Sequence, residues 1–256
     1  MKVSVVGDIK MGVCFARLLK RKGFDVVAFY SDSIETSVKY AVAVSCKAYL
    51  DLERAVSESE LIILAVNDRV LKRTMRKIAA YKPSGKIFCA LTAAETSDTV
   101  SIGGNNTYFT AFIPKYADDN GDYSDISEAP LFFEGFGELY HDFYDELYMR
   151  GVNAKFIDKT QKYGCALAAA LTSDFVGMLC SIACDVSQKV NTGDGWVKDF
   201  AAESAYKALV SGTRSEVFNV NMKKALSEIS CLDADTVHKL KSTIKVLEVM
   251  SVSYFN

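Results

Sequence analysis

The chain has 256 residues, half of them apolar, with 30 basic and 32 acidic side chains and a net charge of −2. That length accommodates one or two domains, and the apolar fraction excludes a disordered chain. Balanced charge leaves no electrostatic footprint for nucleic acid and no basic run for a membrane surface.

The first half alternates strand and helix signals. Lys2–Val6 is a short β-branched run, and Val13–Lys22 has helical spacing that stops at Gly23, a helix C-terminal residue. Asp25–Tyr30 is the next predicted strand, Ile34–Ala41 the next helix, and Val44–Cys46 a short strand. A brief helix over Leu50–Ser57 precedes Leu61–Val66, an unbroken apolar run of the kind that suits a strand buried on both faces. Arg69–Tyr81 reads as a helix with its basic residues outward, ended by Pro83-Ser84-Gly85, and Lys86–Leu91 as another strand. Weaker strands follow at Tyr108–Ile113, Pro130–Glu134 and Ala154–Ile157, with a helix over Glu138–Met149. Strands alternating with helices predict a doubly wound, parallel α/β sheet. From about Lys159 the strand pattern stops, and Lys162–Lys189, Val197–Ser211, Ser215–Ile229 and Asp233–Ser251 read as helices. The expected organisation is an α/β domain over 1–159 and an all-α domain over 160–256.

The seven cysteines (14, 46, 89, 165, 180, 184 and 231) have no CxxC spacing. They are expected to be free thiols, mostly packed as small apolar groups, in a reducing, cytoplasmic setting. Cys180 and Cys184 lie one helical turn apart, but with only His141 and His238 in the chain and no third ligand nearby, no metal site is expected. The start, MKVSVVGD, is too quickly polar for a signal peptide. Cys165–Val186 reaches membrane-spanning length. Thr172, Ser173, Asp174 and Asp185 interrupt it, and a charge at mid-span is costly, so a buried helix of a soluble protein is expected.

The motif that carries most weight is Gly7-Asp8-Ile9-Lys10-Met11-Gly12, set between the first strand and the first helix. In the dinucleotide fingerprint G-x-G-x-x-G, the first glycine makes the tight turn, the second admits the pyrophosphate, and the third packs helix on strand. Gly7 and Gly12 take the first and third places, and Ile9 takes the second. The loop therefore either binds a dinucleotide or keeps the turn without the ligand; the helix N-terminus is an anion site in both cases. The second strand ends Tyr30-Ser31-Asp32-Ser33, where Asp32 either accepts from the adenosine ribose, favouring NAD over NADP, or is a turn residue. Val66-Asn67 and Thr92 stand at the ends of the fourth and fifth strands, facing the same crevice. Asn67 also suits a helix cap.

Together these elements resemble the Rossmann-like proteins with a helical half of the domain of unknown function 2520 type, relatives of pyrroline-5-carboxylate reductase and the 6-phosphogluconate dehydrogenase superfamily. The matching segments are Gly7 and Gly12, Tyr30-Ser31-Asp32-Ser33, Val66-Asn67-Asp68, Ala90-Leu91-Thr92-Ala93, Ile113-Pro114, the run Ala166–Asp174, and Asp233–His238. The resemblance implies a cofactor, NAD or NADP, a small imine, keto acid or amino-acid-like substrate, and a homodimer formed through the C-terminal helices. Three histidines of that family stand here as Ala90, Ile113 and Ala166, its arginine as Asp32 and its asparagine as Asp174. The lysine that related hydroxyacid dehydrogenases carry is Ala168.

Hydride transfer needs a group that moves a proton or polarises the acceptor. The candidates left are Asp174 and Ser173, with Thr172, on the long helix, Lys115 after the sixth strand, and Tyr163. An acid within an apolar helix is expected to be a poor carboxylate and hence a proton donor. Two functions follow: an NAD(P)-dependent oxidoreductase, or a non-catalytic Rossmann protein that binds a nucleotide or partner for sensing or assembly.

Overall fold

The computed structural model describes residues 1–119, 122–211, 226, 229 and 231–254. Compactness divides it into two units, Met1–Ala168 and Ala169–Asn256.

In the first unit the strands and helices alternate from the start: β1 (Lys2–Gly7), α1 (Lys10–Arg21), β2 (Asp25–Tyr30), α2 (Ile34–Val44), β3 (Lys47–Tyr49), α3 (Leu52–Ser57), β4 (Leu61–Ala65), α4 (Asp68–Ala79) and β5 (Ile87–Leu91). Then come α5 (Ser97–Val100), β6 (Thr107–Phe112), the short ribbon β7 (Asp118–Asp119) and β8 (Asp122–Tyr123), β9 (Leu131–Phe136), α6 (Tyr140–Met149) and β10 (Ala154–Phe156). The strands form one eight-stranded sheet in the order β10-β9-β6-β5-β4-β1-β2-β3, with β7-β8 apart. The order 3-2-1-4-5-6 within it is that of a Rossmann sheet, and the chain reverses direction of travel between β1 and β4.

Period-two alternation explains the two-sided burial. Along β4, Leu61, Ile63 and Ala65 enter one apolar cluster with α1 residues such as Phe15, Leu18 and Leu19. Ile62 and Leu64 point the other way, into a cluster with Leu71, Met75 and Ile78 of α4. Each face needs its own helices, which is why the unbroken run LIILA reads as a buried central strand.

Several details differ from the expectation, the unforeseen α5 and the β7–β8 ribbon among them. The segment expected as a strand at 44–46 closes α2 instead: Ser45 adopts φ 57, a left-handed helix cap, and the strand begins at Lys47. The sheet is not wholly parallel, because β9 pairs with β6 antiparallel and β10 then runs parallel to β9. Among the described residues no crossover helix separates β6 from β9, and only a crossover brings the chain back for a parallel pairing. The long helix α7 (Lys159–Lys189) starts earlier than expected, and its first turns are bonded into the sheet unit, so the division at 168/169 falls inside it.

The second unit holds the rest of α7, α8 (Gly195–Ser211) and α9 (Ala234–Tyr254). The helix expected over Ser215–Ile229 lies outside the described residues apart from Leu226 and Ile229. Here α7 is tied to α9 by Lys189, which is bonded to Asp233 and Thr236. The Trp196 indole donates to Ser187 at 3.1 Å. An apolar cavity of about 770 Å³ lies among Leu179, Val186, Trp196, Phe200 and Leu240.

The expected burial of α7 is not met among the described residues. Among the described residues it is the one helix long and apolar enough to cross a membrane, and none of its most apolar 18-residue window is buried. Leu171, Phe175, Met178 and Leu179 are exposed, and the positions where a Cβ would stand on Gly164 and Gly177 meet, beyond their own helix backbone, no atom of the described residues within 4 Å. Apolar composition says that a helix face seeks cover, not that its own chain supplies it.

Candidate nucleotide-binding crevice

The glycine loop is shaped by the end of β4. Gly7 takes φ 141, a conformation L side chains rarely adopt, and a Cβ there would lie 2.0 Å from the Ala65 carbonyl oxygen. That oxygen accepts from the N–H groups of both Asp8 and Ile9, each at 3.0 Å, which folds the loop back over the sheet. At Gly12 a Cβ would stand 2.4 Å from the Ala65 Cβ, so α1 reaches the sheet only because that side chain is missing. The first and third glycines thus meet the two physical demands of the fingerprint.

Ile9 at the second place is the N-cap of α1, with φ −83 and ψ 129, an ordinary extended conformation for any residue. Its side chain is half-buried against the core cluster on the α1 side of the sheet. The tight turn therefore needs no glycine at 9, and what remains is the closeness of approach over the loop. Lys10 and Met11 open the helix, where N–H groups lack intrahelical acceptors and attract anions. The Lys10 ammonium is paired with Asp118 of the ribbon, which pushes it above the ordinary lysine range. The Tyr40 hydroxyl donates to the Asp8 carbonyl at 3.0 Å, pinning the loop from α2.

Beside this loop a cavity of about 440 Å³ opens at the carboxyl ends of β1 and β2, against α4. Its lining brings together Gly7, Asp8, Ser31, Asp32 and Val66, all expected from sequence, with Arg73, Thr74 and Lys77 of α4, which were not. The signal for these was the outward basic face of α4, legible as a helix surface but not as a wall of this crevice. Ile9, Lys10, Met11 and Gly12 form the loop but do not line the cavity.

Asp32 is held at this rim. Its carboxylate accepts from the Tyr30 hydroxyl at 2.9 Å and from the Lys77 ammonium at 3.2 and 3.3 Å. The tyrosine hydrogen bond first, and Lys77 next, hold it below the usual carboxylate range. Burial and the Asp32 contact push Tyr30 up to about 12. Ser31 accepts from the Ser33 N–H at 3.3 Å, and Ser33 in turn caps α2.

The other expected residues are placed as follows. Asn67 caps α4, its Oδ1 accepting from the Arg69 N–H at 3.0 Å. Thr92 is buried and its hydroxyl accepts from the N–H groups of Ala94 and Glu95, each at 3.2 Å, shaping the loop after β5. Lys115 is exposed just beyond β6. Asp174 and Ser173 belong to the helical unit. Asp174 is exposed rather than buried, and Ser173 donates to the Ala169 carbonyl at 2.7 Å and to Asp174 at 3.3 Å. The buried setting on which its expected proton-donor character depends is not provided by the described residues.

A second polar cluster has no counterpart among the residues expected from sequence. The side chain of Lys162, in the first turns of α7, is fully buried, and its ammonium donates to the Glu95 carbonyl and the Thr110 hydroxyl. Thr110 relays the contact to buried Glu134, donating at 2.9 Å. Glu134 also accepts from the Ser97 N–H at 2.8 Å and the Ser97 hydroxyl at 2.6 Å. Burial holds Lys162 down to about 8 against the pull of Glu134. The network joins the loop after β5 to β6, β9 and α7.

A Rossmann sheet with a shaped glycine loop and a cavity at its switch point gives the N-terminal unit the architecture of a dinucleotide-binding domain. Residues 2–106 match the family model of the NAD binding domain of 6-phosphogluconate dehydrogenase. No curated protein sequence matches the chain.

Among solved structures, a proposed NADP oxidoreductase from Bacteroides fragilis is similar with a TM-score of 0.75 and 16% identity, over 96% of each chain. The 1-pyrroline-5-carboxylate reductase of Streptococcus pyogenes superposes with a TM-score of 0.65 and 11% identity, over 99% of this chain and 94% of that one. A semialdehyde dehydrogenase NAD-binding protein from Cupriavidus necator, in complex with calcium and NAD, gives 0.62 and 16%, over 94% and 98%. The fold is therefore that of NAD(P)-binding oxidoreductases.

Proposed function

We propose that the protein is an NAD(P)H-dependent reductase acting on a small imine, keto acid or amino-acid-like substrate. The observation that carries this reading is the Gly7 turn, sealed by the Ala65 carbonyl and opening onto the cavity between β2 and α4. The reduced nicotinamide supplies the hydride when bound. The chain's own contribution is to hold the pyrophosphate over the N-terminus of α1, and to hold the adenosine end in the cavity. There Asp32, at the end of β2, favours NAD. Asp174, Ser173 and Lys115 are the proposed proton-handling groups.

One observation favours a second reading, a non-catalytic nucleotide-binding protein. Ala90 and Ile113, where related proteins carry histidines, are packed in the core and offer no proton. Titration with NADH and NADPH tests the first step of both. Micromolar binding of either supports a cofactor role, and a substrate screen with Asp174→Asn as comparison then separates enzyme from sensor. No binding of either would sink the reductase.

Ile9→Gly is expected to tighten cofactor binding by about three- to tenfold, because it removes the side chain at the place of closest approach to the pyrophosphate. An unchanged or weaker affinity would mean that Ile9 does not crowd the ligand.

We also propose that the exposed face of α7 is covered by a second copy of the chain, in the cytoplasm, rather than by lipid. Gly164 and Gly177 leave room for a close helix approach, and Asp174 and Asp185 lie within the span, where lipid would penalise them. Light scattering on the detergent-free protein should give twice the monomer mass. A soluble monomer, or a need for detergent, would refute this.

A further inference from the structure

We infer that the adenosine end of the crevice takes the dinucleotide with or without a 2′-phosphate, Asp32 serving the bare ribose and Arg73 with Lys77 serving the phosphate. The inference rests on the nucleotide reading above and concerns the same cavity.

Arg73 and Lys77 are spaced i, i+4 on α4, so their side chains share one face of that helix. That face lines the cavity opposite the end of β2, together with Asp32 and the hydroxyl residues Ser31, Ser33 and Thr74. A site made for a bare ribose alone needs the acid and has no use for two cations. A site made for the phosphate alone would carry no acid at the end of β2. This cavity has both, and they are paired: Lys77 reaches both carboxylate oxygens of Asp32 at 3.2 and 3.3 Å.

The pairing makes the arrangement switchable. Asp32 and Lys77 are 75% and 42% exposed, so water competes for both and the pair opens readily. Arg73 has no carboxylate within ion-pair distance among the described residues. A phosphate brings up to two negative charges and three acceptor oxygens, against one charge on Asp32. It therefore replaces Asp32 as the partner of Lys77 and takes Arg73 as well, the guanidinium being suited to two parallel bonds. Asp32 keeps its Tyr30 contact and turns toward solvent. Without a phosphate, Lys77 stays on Asp32 and the free carboxylate lone pairs accept from the ribose hydroxyls.

The test uses nicotinamide-free fragments, ADP-ribose and 2′-phospho-ADP-ribose, so that only this end of the crevice is read by calorimetry. The two dissociation constants are expected to lie within about tenfold of each other, since each fragment finds a charge-assisted partner. Arg73→Ala/Lys77→Ala should weaken the phosphorylated fragment by roughly thirtyfold or more and ADP-ribose by less than about threefold. Asp32→Asn should do the opposite, weakening ADP-ribose by about tenfold while leaving the phosphorylated fragment equal or tighter. All three substitutions are at solvent-accessible positions, so circular dichroism should report an unchanged fold. A preference of about a hundredfold for either fragment in the parent protein, or equal losses for both in the double variant, overturns the inference and leaves the nucleotide reading standing. Binding of neither fragment overturns the nucleotide reading, and this inference with it.

Discussion

Gly7→Ala is expected to lower stability by about 4 kcal/mol and to abolish nucleotide binding, the sum of a close clash and a strained backbone. A Cβ at this position would stand 2.0 Å from the Ala65 carbonyl oxygen and 2.3 Å from its carbon. These are backbone atoms of the central strand β4, paired on both sides by β1 and β5, and cannot move aside as a flexible side chain would. The φ of 141 is unfavourable for alanine even with space around it. Relief would have to come from the loop itself, whose Asp8 and Ile9 N–H groups would leave the Ala65 carbonyl. The crevice would be lost with them.

Thermal unfolding should place the variant roughly 10 °C below the parent. Gly85→Ala is the comparison: Gly85 has φ 67, but no atom lies within 4 Å of where its Cβ would stand, so it should lose only about 1 kcal/mol. If the two variants melt together, steric contact with Ala65 is not what demands glycine at position 7.

Lys162→Met is the second large effect, an expected loss of about 3 kcal/mol at neutral pH, as when one member of a buried charged network is removed. The variant leaves the Glu95 carbonyl without its donor and takes from buried Glu134 the buried cation that Thr110 links to it, with Lys159 the other cation that acts on this carboxylate. Adding Glu134→Gln should return much of the loss, since the amide does not need a counter-charge.

The pH dependence carries a definite sign. Lys162 is held at about 8 in the fold, against 10.5 for the free side chain, with desolvation the largest cause and Glu134, Cys89, Asp68 and Glu95 opposing it. Below pH 8 the ammonium is charged in both folded and unfolded chains, and its desolvation cost is fully present. Between pH 8 and 10.5 the folded chain sheds the proton first, so this group's contribution to stability rises with pH. The parent should therefore gain on Lys162→Met over that interval, as measured by urea unfolding at matched ionic strength. A difference that stayed flat, or shrank, would show that Lys162 is not a buried charge.

Much of the architecture was legible because it rests on short-range patterns. LIILA is apolar at every position because both faces of β4 are covered, and Gly7 and Gly12 bracket a loop between a strand and a helix. Asn67 was readable as a cap, and it caps α4. The strand expected at 44–46 fails for a local reason: Ser45 is a non-glycine residue in a left-handed cap, where sequence gives little warning.

The candidate site was half legible. Gly7, Asp8, Ser31, Asp32 and Val66 stand at strand ends, and a parallel sheet gathers strand ends on one edge. Arg73 and Lys77 could be seen only as an outward helix face, because which crevice a helix faces depends on how it crosses the sheet. The Lys162–Thr110–Glu134–Ser97 network joins residues that no local pattern relates. For Asp174 the apolar neighbours along the sequence imply burial, and α7 leaves that residue exposed.

The sequence by itself determined the alternation of strands and helices through β5, the glycine turn and the acid at the end of β2, since each follows from backbone sterics and periodicity within a few residues. The tertiary structure alone decided that β9 runs antiparallel, that Asp32 is paired with Lys77, that a lysine lies buried beneath the loop after β5, and that the longest apolar helix is left uncovered among the described residues. Those four depend on contacts between segments far apart in the chain, where burial and partner are set by packing and not by the residue type.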